Sequence, residues 1–352
     1  MNIKRRGVFV LILLYVTLGL NIVSPVYANT SFSVEYFNQN RLLRSQSLQR
    51  AKVNFNQSKK VTNSYKANID ADFISTNANT KQHVSFEEVR DFYVDVNKFS
   101  IEKNFNFDPL FVSLDVGFQE VGEHIYTTQA LNGPGVSTAL SFSNINLKTG
   151  YYWLPSYERY FVKDSNGSRN SALWSSKLAY NYNDFNSQFN ICIGYDFFSE
   201  LGAETAYRSK FRNNSVFGDV DNAKFAYDYS IFSLATSYDY RFSRLTLSPF
   251  FNWGLNESAF NYENKYFKYG INLNYNKTKL SASYISIDKN ALVAVFTDEN
   301  VDMANVKGGQ LELNHELYKN LSLNFNFTQL VDKQNDEQIE SMLISATYWS
   351  KL

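Results

Sequence analysis

Residues 321–327 read LSLNFNF, and this strict alternation of apolar and polar side chains indicates a β-strand with one apolar face. The same unit recurs through residues 245–352, where each alternating run leads into either a tight turn or a long polar loop, in strict succession. Runs of about ten residues with short connections at one end and long ones at the other are typical of an outer-membrane β-barrel. A soluble β-sandwich also alternates, but nothing in that fold requires its long loops to lie at one end.

The composition agrees with a barrel that faces lipid. Aromatic residues make up 17% of the 352 residues, with 25 tyrosines and 30 phenylalanines, as expected of a wall with aromatic girdles at two membrane interfaces. The mean hydropathy of −0.35 excludes a helical membrane protein but not a barrel, in which only every second strand residue faces lipid. The formal net charge is zero, so the basic excess that nucleic-acid binding needs is absent.

The N-terminus has the pattern of a secretory signal peptide. The basic residues 4–6 (KRR) precede an apolar run that is shorter than the roughly 20 residues of a spanning helix. We expect cleavage between Ala28 and Asn29, so that residues 1–28 are the signal peptide and 29–352 the barrel. The arginine pair leaves a twin-arginine export route open. No second long apolar segment follows, and membrane attachment of the mature chain must therefore use strands.

Counting the alternating runs predicts an all-β fold, an antiparallel transmembrane β-barrel of about 16 strands, within about 14 to 18. An even number places both termini in the periplasm, with short periplasmic turns and long extracellular loops. Two stretches leave alternatives. Residues 41–50 fit a loop, a helix or a plug, and residues 98–109 fit either a longer connection or one extra strand.

Three runs have an unusual alternation. Around Arg90 the two faces are mixed, and between Ile231 and Phe232 the apolar positions change parity; a β-bulge would explain both. The apolar residues within 189–207, by contrast, keep one parity almost throughout. We interpret this stretch as a single long strand that projects beyond the bilayer.

A barrel of about 16 strands encloses an aqueous channel unless a loop folds into it. In an open lumen, inward charged and polar side chains would set selectivity. The pore-lining candidates are Asp115, Gln119, Glu204, Arg208 and Glu312. Because acidic side chains are in the majority, a mild cation preference or none would follow. Alternatively, a loop at residues 121–134 folds into the lumen and forms the narrowest part of the channel. The five candidates are then ordinary residues of the barrel wall.

No arrangement of residues points to catalysis, to a cofactor or to a metal site. The three histidines, His83, His124 and His315, lie in no recognisable nucleophile motif. No cluster of His, Cys and carboxylate side chains has metal-ligand spacing. Cys192, the only cysteine, is predicted to face inward as a small filler residue. Acidic loop residues at 298–302 and 332–337 could bind Ca²⁺ or bridge lipopolysaccharide, or could simply be solvated.

Several stretches resemble outer-membrane porins of gram-negative bacteria. Residues 88–95 (EVRDFYVD) resemble a descending porin strand, and residues 114–122 (LDVGFQEVG) resemble the ascending strand that follows it. The section from 298 to Trp349 is similar to the end of porin barrels. The chain departs from the pattern at Phe118, where an arginine is frequent, and at its last residues, which lack the usual terminal aromatic. These motifs are specific to the architecture and not to a solute.

Pattern and resemblance lead to one expectation: a passive outer-membrane channel for small hydrophilic solutes. Its partners would be outer-membrane lipid and lipopolysaccharide, and assembly as a homo-oligomer is left open. Two alternatives remain. One is an outer-membrane barrel with a plugged lumen that is structural or binds partners through its long loops. The other is a secreted soluble all-β binding protein.

Overall fold

Sixteen antiparallel strands close into a barrel in which the first strand of the chain pairs with the last. The predicted fold class and strand number are confirmed. The computed structural model describes residues 28–41, 44–60, 64–80, 92–121, 132–154, 171–219, 222–297, 301 and 303–351. Within these ranges, no helix is long and apolar enough to cross a membrane.

The strands of the described ranges are β1 Ala28–Arg41, β2 Arg44–Lys60, β3 Tyr65–Thr80, β4 Phe92–Phe107, β5 Leu110–Glu120, β6 Asn132–Phe142, β7 Ile145–Trp153, β8 Ala172–Asn183, β9 Ser187–Ser199, β10 Val216–Phe217, β11 Lys224–Phe225, β12 Tyr229–Phe242, β13 Leu245–Asn256, β14 Lys265–Tyr275, β15 Thr278–Ile287, β16 Val306–Tyr318, β17 Leu321–Asp332 and β18 Gln338–Lys351. Strands β1–β9 and β12–β18 form the barrel, and β10 and β11 form a separate hairpin. Each barrel strand pairs with its neighbours in sequence, and β9 pairs with β12.

The connections at the two ends of the barrel differ in length, as predicted. At one end, which we call the turn end, connections such as 143–144 and 319–320 are short. At the other end, which we call the loop end, the connections include 200–228 and 288–305. One loop-end connection is an exception: β1 and β2 are joined by two residues, because Arg41 pairs directly with Arg44.

Both ambiguous stretches belong to strands. β2 begins at Arg44, so residues 44–50 are part of the barrel wall rather than a loop, a helix or a plug. β4 runs without interruption to Phe107, so residues 98–107 continue a strand and do not form an extra one. Pairing with β1 and β3 explains why residues 46–50 extend although their own alternation is weak. Residues 99–107 alternate clearly and pair with β5 throughout.

β4 contains a bulge at Asn97. Asp70 of β3 pairs with Lys98, whereas Ala71 pairs with the residue two positions earlier, which leaves Asn97 as an extra residue. The side chains of Asn97 and Lys98 therefore both point into the barrel, since an inserted residue reverses the parity of the strand. The bulge predicted near Arg90 falls outside the described residues.

The single long strand predicted for residues 189–207 is wrong. β9 ends at Ser199, and Ala203–Lys210 form an α-helix, α1. The chain leaves the strand at Glu200, whose φ of 50° lies in the left-handed region. Helix α1 buries Ala206 and Ser209, which are three residues apart and so share one face of the helix. The alternation that suggested a strand here was therefore coincidental.

The bulge predicted between Ile231 and Phe232 is also wrong. The pairing of β12 with β9 stays in register from Tyr229 to Tyr240. Tyr229 and Ile231 face the barrel interior, where both are buried, and Phe232 faces outward. The parity change arises because β12 is apolar on both faces near the loop end.

At mid-height the outer face of the wall is apolar and the inner face is polar. On β14 and β16, for example, Ile271 and Leu311 are exposed on the outside, while Asn272 and Glu312 point inward by parity. Two outward hydroxyls, Thr149 and Ser176, bond to each other at 2.7 Å, which satisfies polar groups that lipid cannot solvate. Exposed aromatic side chains near the turn end form a girdle. They include Phe107, Phe142, Phe242, Tyr275 and Tyr318.

Candidate functional site

Five charged side chains on the inner face of β2–β5 are joined by ion pairs or by bridging asparagines, and we call them the charged wall. Its members are Lys52, Asp70, Asp72, Lys98 and Asp115. Lys52 Nζ lies 2.7 Å from Asp72 Oδ2, and Lys98 Nζ lies 2.9 Å from Asp115 Oδ2. Two ammonium groups against three carboxylates leave these five side chains with a formal charge of −1 at neutral pH, counted from their identities.

Asparagine side chains fix the two aspartates of β3 in the charged wall. Asn54 Nδ2 donates to Asp70 Oδ1 and to Asp72 Oδ1, each at 2.8 Å. Asn97 Nδ2 donates to Asp70 Oδ1 at 3.1 Å and to Asp72 Oδ2 at 2.8 Å. Bonds to ionised acceptors are the stronger kind of hydrogen bond, so the two carboxylates are held in place on the wall.

The β4 bulge assembles this cluster. Because the extra residue turns two consecutive side chains inward, Asn97 reaches the aspartates of β3 while Lys98 reaches Asp115 on β5. Asp70 and Asp72 were missed in the sequence, although their alternation with Ile69 and Ala71 would have placed them inward. Parity counted from Val96 would have placed Lys98 outward, because the bulge at Asn97 reverses it.

Of the predicted pore-lining residues, Asp115 and Gln119 lie together on β5. Asp115 belongs to the charged wall. Gln119 is buried, and its amide donates to the carbonyl oxygens of Asp115 at 2.9 Å and Gly135 at 3.0 Å. Its side-chain oxygen accepts from Ser137 Oγ at 2.8 Å. Gln119 therefore ties β5 to β6 rather than offering free polar atoms to a solute.

Glu312 also faces inward, from β16, where it is half-buried opposite Ser281 and Asn326. Four strand-to-strand steps separate β16 from β2 around the barrel. At about 4.8 Å per step, the separation along the wall is about 19 Å. The structure therefore does not bring Glu312 to the charged wall.

The described residues of the connection between β15 and β16 fold into the barrel at the loop end, and we call them the inserted segment. They are residues 288–297, 301 and 303–305. Ala291, Leu292 and Ala294 within it are fully buried. Phe296, at the end of a short 3-10 helix (Ala294–Phe296), stacks on Phe198 of β9 with ring centroids 5.9 Å apart. β9 is four strand-to-strand steps from β15, so the inserted segment reaches across part of the lumen.

Inward apolar side chains of β7–β18 receive the inserted segment in one hydrophobic core. They are Tyr152, Leu173, Phe198, Tyr229, Ile231, Tyr266, Ile285, Ile287, Val306, Leu330 and Ile339. Among the described side chains, none from β1–β4 belongs to this core. The loop that we expected to form the constriction, 121–134, is described only in part, and residues 122–131 fall outside the described ranges. The segment that the structure places in the lumen is a different one.

Helix α1 packs beside the inserted segment. Arg208 lies on α1 and is buried, and Glu204 lies on the same helix. The prediction that these two residues line the wall from a strand is wrong, because neither belongs to a barrel strand. Just after α1, Asn213 Nδ2 donates to Asp332 Oδ2 at 2.8 Å and to the Ala304 carbonyl at 3.3 Å.

The other candidate residues have partners of an ordinary structural kind. His315 faces outward and shares a hydrogen bond of 2.9 Å with Thr278. Asp332 accepts from Asn213 and from the Gln334 amide at 2.7 Å, donors that would compete with a cation. Cys192 is half-buried on the inner face of β9.

The described part of the chain contains no group of three or more His, Cys, Asp or Glu side chains that could hold a metal ion. His83, His124 and the acidic residues Asp298, Glu299 and Asp302 lie outside the described ranges.

No protein-family model and no curated protein sequence matches the chain. Solved structures do match its fold. OprB of Pseudomonas putida aligns with a TM-score of 0.62 at 10% identity, over 96% of this chain and 97% of that one. OprD of Pseudomonas aeruginosa aligns with a TM-score of 0.51 at 12% identity, over 93% and 96%. OpdK of the same organism, solved with vanillate, aligns with a TM-score of 0.53 at 11% identity, over 92% and 99%. The chain thus has the barrel fold of bacterial outer-membrane porins.

Proposed function

We propose that the chain forms a passive channel for small hydrophilic solutes in a bacterial outer membrane. One observation carries this proposal: a closed barrel with an apolar exterior keeps a polar, charged part of its inner wall outside the apolar core. The pattern of residues 1–28, with cleavage between Ala28 and Asn29, supports export to that membrane. The outer surface would contact membrane lipid and lipopolysaccharide, and several barrels could associate side by side.

The passage would run between the inserted segment and β2–β5. The apolar core occupies the lumen along β7–β18, and the described side chains of β1–β4 contribute nothing to it. The side chains of Lys52 and Lys98 are 33% and 31% exposed to solvent. Ammonium groups in a dry lumen would carry a large desolvation cost, so their exposure supports water beside the charged wall.

The charge of the passage would make it weakly cation-selective. The formal charge of −1 on the charged wall attracts cations, and the two lysines keep the attraction small. Asp115 would be the pore-lining residue with the largest influence among those predicted from sequence. Glu312 would act from a separate part of the wall, four strand-to-strand steps from β2.

Planar lipid bilayers with the purified barrel test this proposal. We expect stepwise increases in current, and a zero-current potential across a KCl gradient whose sign indicates a small excess of cation flow. A correctly folded barrel is recognised by its altered gel mobility on heating. A folded barrel that never conducts would overturn the channel proposal and leave the fold untouched.

A plugged barrel is the second candidate, and one observation favours it. The hydrophobic core of the inserted segment extends from β7 to β18 at the loop end and already occupies the lumen along those strands. Such a protein would act through its loops as a structural or surface-binding barrel. Liposomes that contain it would not swell in solutions of small sugars, whereas liposomes with an open channel would.

A further inference from the structure

Three buried asparagines hold the inserted segment in place, in addition to its apolar contacts. We call Asn214, Asn256 and Asn290 the asparagine latch. Asn256 and Asn290 are fully buried, and Asn214 retains 4% of its exposure. Asn214 belongs to the connection between β9 and β12, Asn256 ends β13, and Asn290 belongs to the inserted segment itself.

Asn214 binds the inserted segment at three backbone positions. Its Nδ2 donates to the carbonyl of Lys289 at 2.6 Å and to that of Leu292 at 3.0 Å. Its Oδ1 accepts from the amide of Ala294 at 2.8 Å. One side chain therefore spans the turn that leads into the 3-10 helix, and fixes where that helix enters the lumen.

Asn290 and Asn256 fix the same turn from its other side. Asn290 Oδ1 accepts from the Ser215 amide at 3.0 Å, and its Nδ2 donates to Ser215 Oγ at 3.0 Å and to Glu263 Oε2 at 2.6 Å. Asn256 Nδ2 donates to the carbonyl of Asn290 at 2.8 Å and to that of Asp228 at 3.0 Å. The turn is thereby bound to β13, to the β13–β14 connection and to the segment that follows α1.

We propose that the asparagine latch positions the inserted segment and so sets the width of the passage and the largest solute that it admits. Apolar contacts are non-directional, and the core alone would tolerate sliding of the segment along the wall. Hydrogen bonds are directional, and the latch makes them to backbone groups of Lys289, Asn290, Leu292 and Ala294. The effect on solutes rests on the proposed channel function, but the position of the segment does not.

Thiol accessibility tests the position of the segment without relying on conduction. In a Cys192→Ser background, Ala294→Cys places a single cysteine at a fully buried position of the inserted segment. A charged, membrane-impermeant thiol reagent should label it slowly. Adding Asn214→Ala should raise the labelling rate about tenfold. This corresponds to a loss of about 1.4 kcal/mol from the free energy that holds the segment in its buried position. Asn214→Asp keeps an acceptor for the Ala294 amide but sets a carboxylate oxygen against the two carbonyls that Nδ2 binds, so it should raise the rate at least as much as Asn214→Ala.

The matched control is Asn272→Ala. Asn272 also faces the lumen, from β14, but pairs with Ser248 and Ser281 of neighbouring strands. Its replacement should leave the labelling rate unchanged. Heat-modified gel mobility would verify that every variant is a folded barrel. Equal labelling rates with and without Asn214→Ala would overturn the latch, whatever the channel does.

Bilayer recordings test the second half of the proposal. Asn214→Ala should increase single-channel conductance and admit larger poly(ethylene glycol) molecules into the passage, and Asn272→Ala should do neither. Faster labelling together with unchanged conductance and size limit in a conducting channel would overturn the claim about solute size. Faster labelling of a barrel that is silent in every variant would support the latch and overturn the channel function instead.

Discussion

Replacing Lys98 by methionine (K98M) should make the channel more selective for cations. Lys98 supplies one of the two positive charges of the charged wall, in an ion pair with Asp115 at 2.9 Å. Methionine keeps an unbranched stem of similar length and removes only the ammonium group. The formal charge of the wall changes from −1 to −2, and the carboxylate of Asp115 becomes available to passing cations.

The magnitude follows from Coulomb's law in the lumen water. An ion that passes about 5 Å from the lost charge changes its energy by about 0.8 kcal/mol at a dielectric constant of about 80. Screening over a Debye length of about 10 Å at 0.1 M salt reduces this to about 0.5 kcal/mol. Cations then become about twofold more abundant beside the wall and anions about twofold less, by the usual exponential relation. The cation-to-anion permeability ratio should therefore rise about fivefold, since both effects multiply.

The assay is the zero-current potential across a KCl gradient at low ionic strength, and Lys103→Met (K103M) is its control. Lys103 lies on the same strand but faces outward, with its Nζ 5.1 Å from the centre of the Tyr65 ring and 4.7 Å from that of Phe105. K103M should leave the permeability ratio unchanged, and the double variant K98M/D115N should return it to the wild-type value. Equal shifts in K98M and K103M would refute the passage along β2–β5.

Three further outcomes are expected. Gly254→Ala should destabilise the barrel by about 1–3 kcal/mol in urea unfolding, because the new methyl overlaps the ring of Tyr266; Gly309→Ala, whose methyl meets nothing nearer than 3.9 Å, should cost much less, and equal losses would contradict the packing argument. Phe296→Ala should increase conductance, since it removes the ring that anchors the inserted segment on β9 and leaves a cavity that costs about 3–5 kcal/mol; an unchanged conductance would show that the anchor is dispensable. Intact-mass analysis of protein recovered from membranes should give a mature chain beginning at Asn29, and a retained leader would disprove the predicted cleavage site.

The barrel wall could be predicted from sequence because alternation is a local property. A run such as 321–327 shows its apolar face without knowledge of its neighbours, and the unequal connections supply the order of strands. Even weakly alternating residues 44–50 are forced into the wall, since β1 and β3 pair with them on both sides. The sequence of a single strand does not show which neighbours it pairs with, and residues 44–50 are therefore ambiguous when read alone.

The filling of the lumen could not be predicted in the same way, because the contacts of the inserted segment are distant in the chain. Phe296 packs on Phe198, almost 100 residues earlier by sequence number, and Asn214 binds backbone groups near residue 290. A signal was nevertheless present. Inward positions near the loop end are apolar on several strands, as at Ile287 and Leu330, and an inward apolar residue in a water-filled barrel would need an apolar partner inside it.

A change of apolar parity along a barrel strand therefore has two physical causes, and the register with the neighbouring strand distinguishes them. In β4 the outward residues Val96 and Phe99 are three positions apart, and the inward polar residues shift with them, from Asn97 to Lys98 and Ser100. An extra residue displaces both faces together, so this pattern indicates a bulge.

In β12 the apolar positions change parity at Ile231, but Ser233, Ser237 and Asp239 stay on one parity throughout. Ser230 lies on the other parity, as an extra residue would also produce, but the register with β9 continues without a shift from Tyr229 to Tyr240. Tyr229 and Ile231 have therefore been added to the inner face as apolar side chains, where something must cover them. Phe296 of the inserted segment, which stacks on Phe198 of the neighbouring β9, is part of that cover. The sequence of β12 alone shows the same shift as a bulge, and the pairing with β9 is what separates the two causes.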